Sequence, residues 1–254
     1  MKFIGIDLGW ISGASGLCCL QWTDQRLHLL DLCCKRQITE ILAWLDNWVM
    51  PHAGAMIAVD APTIISNQTG MRLPDRLTHR YFGRYHAGCY PANLNRPFAK
   101  RTLGFGQCLS DRGFCHAATI TPQQFGRYQI EVFPHPAMVK LFNLDRILKY
   151  KKGNLSQKKA GIKNLQDYIN QQLTTLTPAL SLDCQIAKAV INAKLDDYSG
   201  RETKMIEDEL DSLICAYVGA YWWYWGNQRN WVLGDEKQGY IIVPNPAGTP
   251  MPTD

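Results

Sequence analysis

Hydrophobic and polar positions alternate on a short period at both ends of the first 60 residues and again near residue 130. Lys2–Leu8 carries Phe3, Ile4 and Ile6 in an almost unbroken apolar run, the pattern of a strand buried on both faces. Ser15–Trp22 and Arg26–Cys34 predict second and third strands. The first two are separated by a turn around Gly9–Gly13 and the last two by a tight connection at Asp24-Gln25, so the opening reads as an antiparallel meander. Over Thr39–Val49 the apolar residues Ile41, Leu42, Leu45 and Val49 fall at helical spacing, and Pro51 and Gly54 end the helix. Ala55–Asp60 predicts a fourth strand, stopped by Ala61-Pro62. Tyr128–Phe133 predicts a fifth, closed by Pro134-His135-Pro136.

Between the fourth and fifth strands the periodicity lapses. Residues 66–125 are rich in Gly, Pro, Asn, Arg and aromatics. They read as an insertion in a single domain spanning 1–254, with too few aliphatics for a core of their own. Pro74 opens a short predicted helix through Phe82, with Gly83 as its stop. Past the fifth strand, Pro136–Phe142, Ser156–Leu176, Leu182–Leu195 and Glu207–Trp225 read as helices. Trp231–Leu233 and Tyr240–Val243 read as a hairpin within a terminal segment 227–254, whose proline-rich tail Pro244–Asp254 is expected to be loosely held. Trp222, Trp223 and Trp225 are expected to pack at the end of the last helix.

Charge sharpens this outline. The chain carries +5, yet Arg72–Arg112 alone holds eight basic residues against Asp75 and Asp111, so the remainder is close to neutral. That asymmetry favours a polyanionic partner. Nine cysteines form no C-x-x-C, and the adjacent pairs Cys18/Cys19 and Cys33/Cys34 lie in strands, where neighbours face opposite ways. Reduced thiols are expected rather than zinc or disulfides. The opening has no secretory pattern, and the longest apolar run, near Leu213–Trp225, is too short to span a bilayer. A cytoplasmic location without a membrane partner is the expectation.

Five acids sit where rigid backbone can aim them: Asp7 on the first strand, Asp60 ending the fourth, Glu131 within the fifth, and Asp208 and Asp211 on the last helix. Asp208 and Asp211 are three residues apart and share a helix face. Each has an ordinary reading as well. Asp7 serves as a turn former, Asp60 as a strand cap, Glu131 as a solvent-facing edge residue, and Asp208 as a first-turn acid. Clustered carboxylates repel unless cations neutralise them. Hard oxygen donors on rigid elements suit Mg²⁺ or Mn²⁺, and two such ions can activate water and stabilise the leaving oxygen in phosphodiester hydrolysis.

The segments FIGIDLGW, IAVDAP, RYFGRYHAGCYPANLNR, EVFPHP followed by YKKG, DELDSLICAY and GDEKQGYIIVP together resemble a bacterial family of predicted RNase H-like nucleases, a domain of unknown function. The resemblance spans most of the chain. It implies an α/β RNase H-like fold: a mixed five-stranded sheet in the order β-β-β-α-β, the basic insertion, then β-α, with a C-terminal hairpin. Asp7, Asp60 and Asp211 match that fold's three acidic places. Asp208 resembles the paired acid of Holliday-junction resolvases, and Glu131 matches an acid of the predicted-nuclease family.

The expected function is therefore a divalent-metal-dependent nuclease. Asp7, Asp60 and Asp211 bind Mg²⁺ or Mn²⁺, and Asp208 and Glu131 act as further ligands or water-positioning bases. Arg76, Arg80, Arg84, Arg96 and Arg101 hold the phosphates of DNA or RNA, and Tyr81, Tyr85 and Tyr90 stack on bases. Lys149, Lys151, Lys152, Lys158 and Lys159 form a second basic cluster with a solvated surface as its ordinary reading, and His79, His86 and His135 are proton-transfer candidates. Two rivals stand beside it: a small-molecule kinase or ATPase of the actin-like fold, which needs a second related half that the sequence does not display, and a non-catalytic nucleic-acid-binding protein that kept the fold.

Overall fold

The computed structural model describes residues 1–11 and 13–251; Ser12 of the first turn and Pro252–Asp254 of the tail lie outside them. Strands β1 (Lys2–Asp7), β2 (Ser15–Thr23) and β3 (Arg26–Lys35) form the antiparallel meander, and helix α1 (Ile38–Trp48) leads into β4 (Ala55–Val59). The insertion contributes α2 (Leu73–Phe82), α3 (Ala99–Ser110) and the two-residue β5 (Cys115–His116) before β6 (Arg127–Glu131). Then come α4 (Pro134–Leu141), α5 (Leu155–Tyr168), β7 (Ala179–Ser181), α6 (Gln185–Ile191) and the long α7 (Gly200–Trp225). The hairpin of β8 (Asn230–Asp235) and β9 (Gly239–Pro244) forms a second, two-stranded sheet.

The main sheet has seven strands in the order β5-β6-β4-β1-β2-β3-β7, not five. The two extra strands are β5 and β7, edge pieces too short to leave an alternating pattern in sequence. β1, β2 and β3 pair antiparallel, and all other pairings are parallel. Other departures have similar causes. Helix α3 escapes sequence reading because Gly104 and Gly106 weaken its signal, though Thr102, Phe105 and Leu109 bury one face. Helix α7 starts well before Glu207 through a capping box, in which Ser199 Oγ accepts from Glu202 N and the Glu202 carboxylate accepts from Ser199 N. The tail is held through Thr249, whose carbonyl accepts from the Trp231 indole at 2.9 Å and the Asn245 amide at 2.6 Å.

Alternation along the strands sorts side chains onto two faces. Phe3, Cys18, Leu20, Met56, Ala58, Ile130 and Val132 enter the core beneath α7. Ile4, Ile6, Leu17, Cys19, Ile57 and Val59 enter a second core with Ile41 and Leu45 of α1 and Phe105 and Leu109 of α3. The insertion thus supplies residues to both cores, Phe82, Ala87 and Ala117 to the first and Phe105, Leu109 and Phe114 to the second. Trp222 and Trp223 are buried. All nine cysteines are free thiols. No helix among the described residues is long and apolar enough to cross a membrane.

Two glycines set how closely α7 approaches the sheet. A Cβ on Gly5 would lie 1.9 Å from Ser212 O and 2.3 Å from Ala216 N, and one on Gly16 would lie 1.9 Å from Asp208 O. Backbone meets backbone at both points, so a methyl group cannot be absorbed by a side-chain rotation. Replacing Gly5 by Ala should lower the unfolding free energy by about 3 kcal/mol or more, read by urea denaturation. An effect of a few tenths would contradict the close seating of α7.

Candidate functional site

Register brings the first two acids together. Ile6 of β1 lies opposite Val59 of β4, and Asp60 N donates to Ile6 O at 2.8 Å, so Asp7 and Asp60 are neighbours at the carboxyl ends of adjacent parallel strands. Ligand crevices of open α/β sheets lie at such ends. Asp7 keeps step with Gly5, and Asp60 with Met56 and Ala58, so both side chains rise on the α7 face. Asp208 and Asp211 come down from α7 onto that face, both buried.

Glu131 is the exception. It is opposite Val59, one residue behind the Asp7–Asp60 row, and therefore on the other face of the sheet. There its two oxygens are taken by the Arg72 guanidinium at 2.6 and 2.8 Å. The same guanidinium binds Asp75 at 2.9 Å and donates to Ile64 O, and Asp75 also accepts from Ala92 N. Arg72, Asp75 and Glu131 are all buried, and burial pushes the Glu131 carboxyl up to about 7 against the pull of Arg72. Its carboxylate anchors α2 to β6, and it also borders Asp60, whose carboxyl pKa it helps to raise.

The four remaining acids share one electrostatic neighbourhood, and the cation that answers them is Lys151. Its ammonium is 2.7 Å from Asp211 Oδ2, in an ion pair without hydrogen-bond alignment, while Asp211 Oδ1 accepts from the Tyr150 hydroxyl at 2.7 Å. Burial raises the Asp7 carboxyl far above its usual range, and Lys151 counters this while Asp211, Asp60 and Asp208 add to it. Asp60 is pushed up to about 7, again by burial first, with Lys151 opposing and Asp211 and then Glu131 adding. Burial by itself would lower the Lys151 pKa, but Asp211, Tyr150, Asp7 and Asp60 hold it well above its usual value. Asp208 has a cation of its own, Lys204 at 2.7 Å, which also pairs with Glu207 at 2.6 Å.

Lys151 had an ordinary reading as one of a run of solvated lysines. It comes to the acids because its segment is wedged between helices: a Cβ on Gly161 of α5 would lie 2.1 Å from Lys149 O. The only hint in sequence was the Tyr150-Lys151 pair itself, an aromatic hydroxyl beside a cation. A cleft of about 820 Å³ opens over the site, lined by Asp7, Asp208, Lys151, Lys204, Arg36 and Arg201 among others.

A family model described as "Protein of unknown function (DUF429)" matches residues 5–237. The chain belongs to the DUF429 family. No curated protein and no solved structure matches it.

The basic insertion of this DUF429 chain divides. Arg101 reaches the cleft, where its Nε donates to Gly9 O at 2.8 Å and a terminal nitrogen donates to Arg36 O, so it braces the loop beyond Asp7. Trp10 of that loop packs on Phe98. Arg96 lies over Tyr90 and Arg84 over Tyr85, and Arg76 donates to Met71 O. Arg80, Tyr81, Arg84, Tyr85, Lys140 and Trp231 line a separate groove of about 200 Å³. Of the histidines, His79 Nε2 is 2.8 Å from Cys89 O, and His86 is exposed on a left-handed turn. His135 is held neutral, with burial and then Lys151 lowering it to about 4.

Among the described residues no group of three or more His, Cys, Asp or Glu side chains is arranged to hold an ion. The donor set nonetheless suits a hard divalent cation in kind: buried carboxylates, and an Asp211 Oδ2 with no aligned donor. The electrostatics carry a sign that can be measured. Asp60 titrates near 7 when folded against 3.8 ordinarily, so between those values the folded state binds the extra proton. Its contribution to stability is complete below about pH 4 and is lost as pH rises toward 7. In chelator, Asp60→Asn should remove this loss and gain stability relative to the parent at pH 8 but not at pH 4. Parallel pH profiles for the two proteins would refute the assignment.

Proposed function

We propose that this chain is a divalent-metal-dependent nuclease on an RNase H-like fold. The reading rests on the convergence of Asp7, Asp60 and Asp211 on one face at the carboxyl ends of two parallel strands, beneath a helix seated directly on β1. The run β6-β4-β1-β2-β3, with β1 to β3 antiparallel and β4 and β6 parallel to β1, agrees with that fold.

Asp7, Asp60 and Asp211 would hold Mg²⁺ or Mn²⁺, with Asp208 a further ligand. The chemistry such an ion supplies is Lewis-acid activation of water and neutralisation of charge building on the phosphate. The chain's own part is positional. β1, β4 and α7 fix the carboxylates, and Tyr150 orients Asp211 through Oδ1. The cationic lining of the cleft, Arg36, Lys151, Arg201 and Lys204, would draw in the phosphates of DNA or RNA. Arg76, Arg80, Arg84 and Arg96 would extend that contact over the insertion, with Arg101 bracing the cleft wall.

A non-catalytic nucleic-acid-binding protein is the second reading. It is favoured by the ion pair of Lys151 with Asp211, which supplies that acid with a counter-charge without any ion. The two readings separate on one experiment. Asp7→Asn should reduce Mn²⁺-dependent cleavage of single-stranded and branched oligonucleotides to background while leaving the circular dichroism spectrum unchanged. Chelator-insensitive binding without cleavage by the parent would establish the second reading instead. Arg84→Ala should weaken binding to all sequences alike and lower the slope of log affinity against log salt by about one; an unchanged slope would remove Arg84 from the phosphate contacts.

A further inference from the structure

The acids under α7 outnumber the cations that meet them. Asp7, Asp60 and Asp211 have Lys151 as the one cation that lowers the carboxyl pKa of both Asp7 and Asp60 and that pairs with Asp211, while Asp208 is served by Lys204. One ammonium thus serves three buried carboxyl groups. It is also badly placed to hydrogen-bond: at 2.7 Å from Asp211 Oδ2 it leaves that fully buried oxygen without an aligned donor. The Lys151 side chain is 32% exposed and lines the cleft, so its ammonium has an open route away from the acids. The residues after it, Lys152 and Gly153, are exposed, and Gly153 has a positive φ.

We propose that Lys151 is a tethered cation that holds the carboxylates together in the ion-free protein and must vacate its place when a divalent ion enters, so that ion binding and the seated lysine exclude one another. The proposal rests on the metal-dependent reading above and adds a competitor built into the chain. The physical ground is direct. The ammonium brings one positive charge to this cluster and a divalent ion brings two, and the two cations repel at the shared Asp211 oxygen. Once displaced, the ammonium lies in a cleft suited to phosphate, where a substrate oxygen would replace the carboxylate as its partner. Occupation of the cleft by a nucleic-acid phosphate would therefore favour the displaced lysine and tighten ion binding, linking the two events.

The test uses Mn²⁺ and the full chain. Isothermal titration of Lys151→Gln should give Mn²⁺ binding at least about ten-fold tighter than the parent, about 1.4 kcal/mol, together with a lower melting temperature in chelator, because the acids have lost the cation they share. In the parent, saturating Mn²⁺ should increase acylation of Lys151 by an amine-reactive reagent, read by peptide mass spectrometry against Lys152 as the internal reference. Equal or weaker Mn²⁺ binding by Lys151→Gln would overturn the proposal. If that variant does not fold, unchanged Lys151 labelling in the parent at saturating Mn²⁺ would do so. Cleavage by the parent alongside an unaltered Mn²⁺ affinity in the variant would sink the tethered cation and leave the nuclease reading standing. Tighter binding in the variant with no cleavage by either protein would sustain the tethered cation and remove the nuclease.

Discussion

The contact on which this molecule turns is between backbones: α7 lies against β1 at Gly5 and against β2 at Gly16, with no side chain between. A helix normally rests on a sheet through a layer of side chains. Without that layer, the carbonyls of Asp208 and Ser212 reach the strands, and the acids of α7 are lowered to the level of Asp7 and Asp60. The opening segment Gly5-Ile6-Asp7 thus serves twice, its glycine admitting the helix and its aspartate meeting what the helix carries. Moving the helix outward by the thickness of a methyl group would draw Asp208 and Asp211 away from Asp7 and Asp60.

Legibility in the sequence followed the length of each element and the parity of each strand. The meander, α1 and β4 are long and apolar enough to be read directly, and so was the placing of acids on β1, after β4 and on α7. What escaped was whatever depends on distant register. Glu131 is a strand acid like Asp7, but its face is decided by pairing with Val59, and no local pattern in Gln129–Phe133 reports that pairing. Lys151 is one lysine among several, and only the wedge of α5 against Lys149 selects it. β5 and β7 are edge strands formed because neighbouring strands offer free backbone groups, not because two or three residues carry a preference of their own.

The chain buries carboxylates in two ways. Around Arg72 the geometry is closed: both oxygens of Glu131 and both of Asp75 have donors, and the guanidinium is inaccessible. Around Lys151 it is open, with a flexible monovalent cation, an oxygen lacking an aligned donor, and a cleft beside it. Arginine's rigid fork suits a permanent junction, whereas lysine's point charge on a long stem suits one that can be exchanged. The contrast lies in geometry rather than acidity, since burial raises Glu131 and Asp60 to similar values.

The Arg72 junction also bears on how such a chain can change over time. Arg72 belongs to the insertion and Glu131 to the sheet, so the insertion is not a detachable module. Deleting it would strand a buried carboxylate on β6, a loss far greater than the entropy of closing a shorter loop. A shortened descendant of this architecture would have to exchange Glu131 for an apolar residue in the same step, or keep enough of the 72–75 turn to carry the arginine. Insertion and acid are in that sense one inherited unit, and the basic surface that α2 presents is retained for as long as Glu131 is.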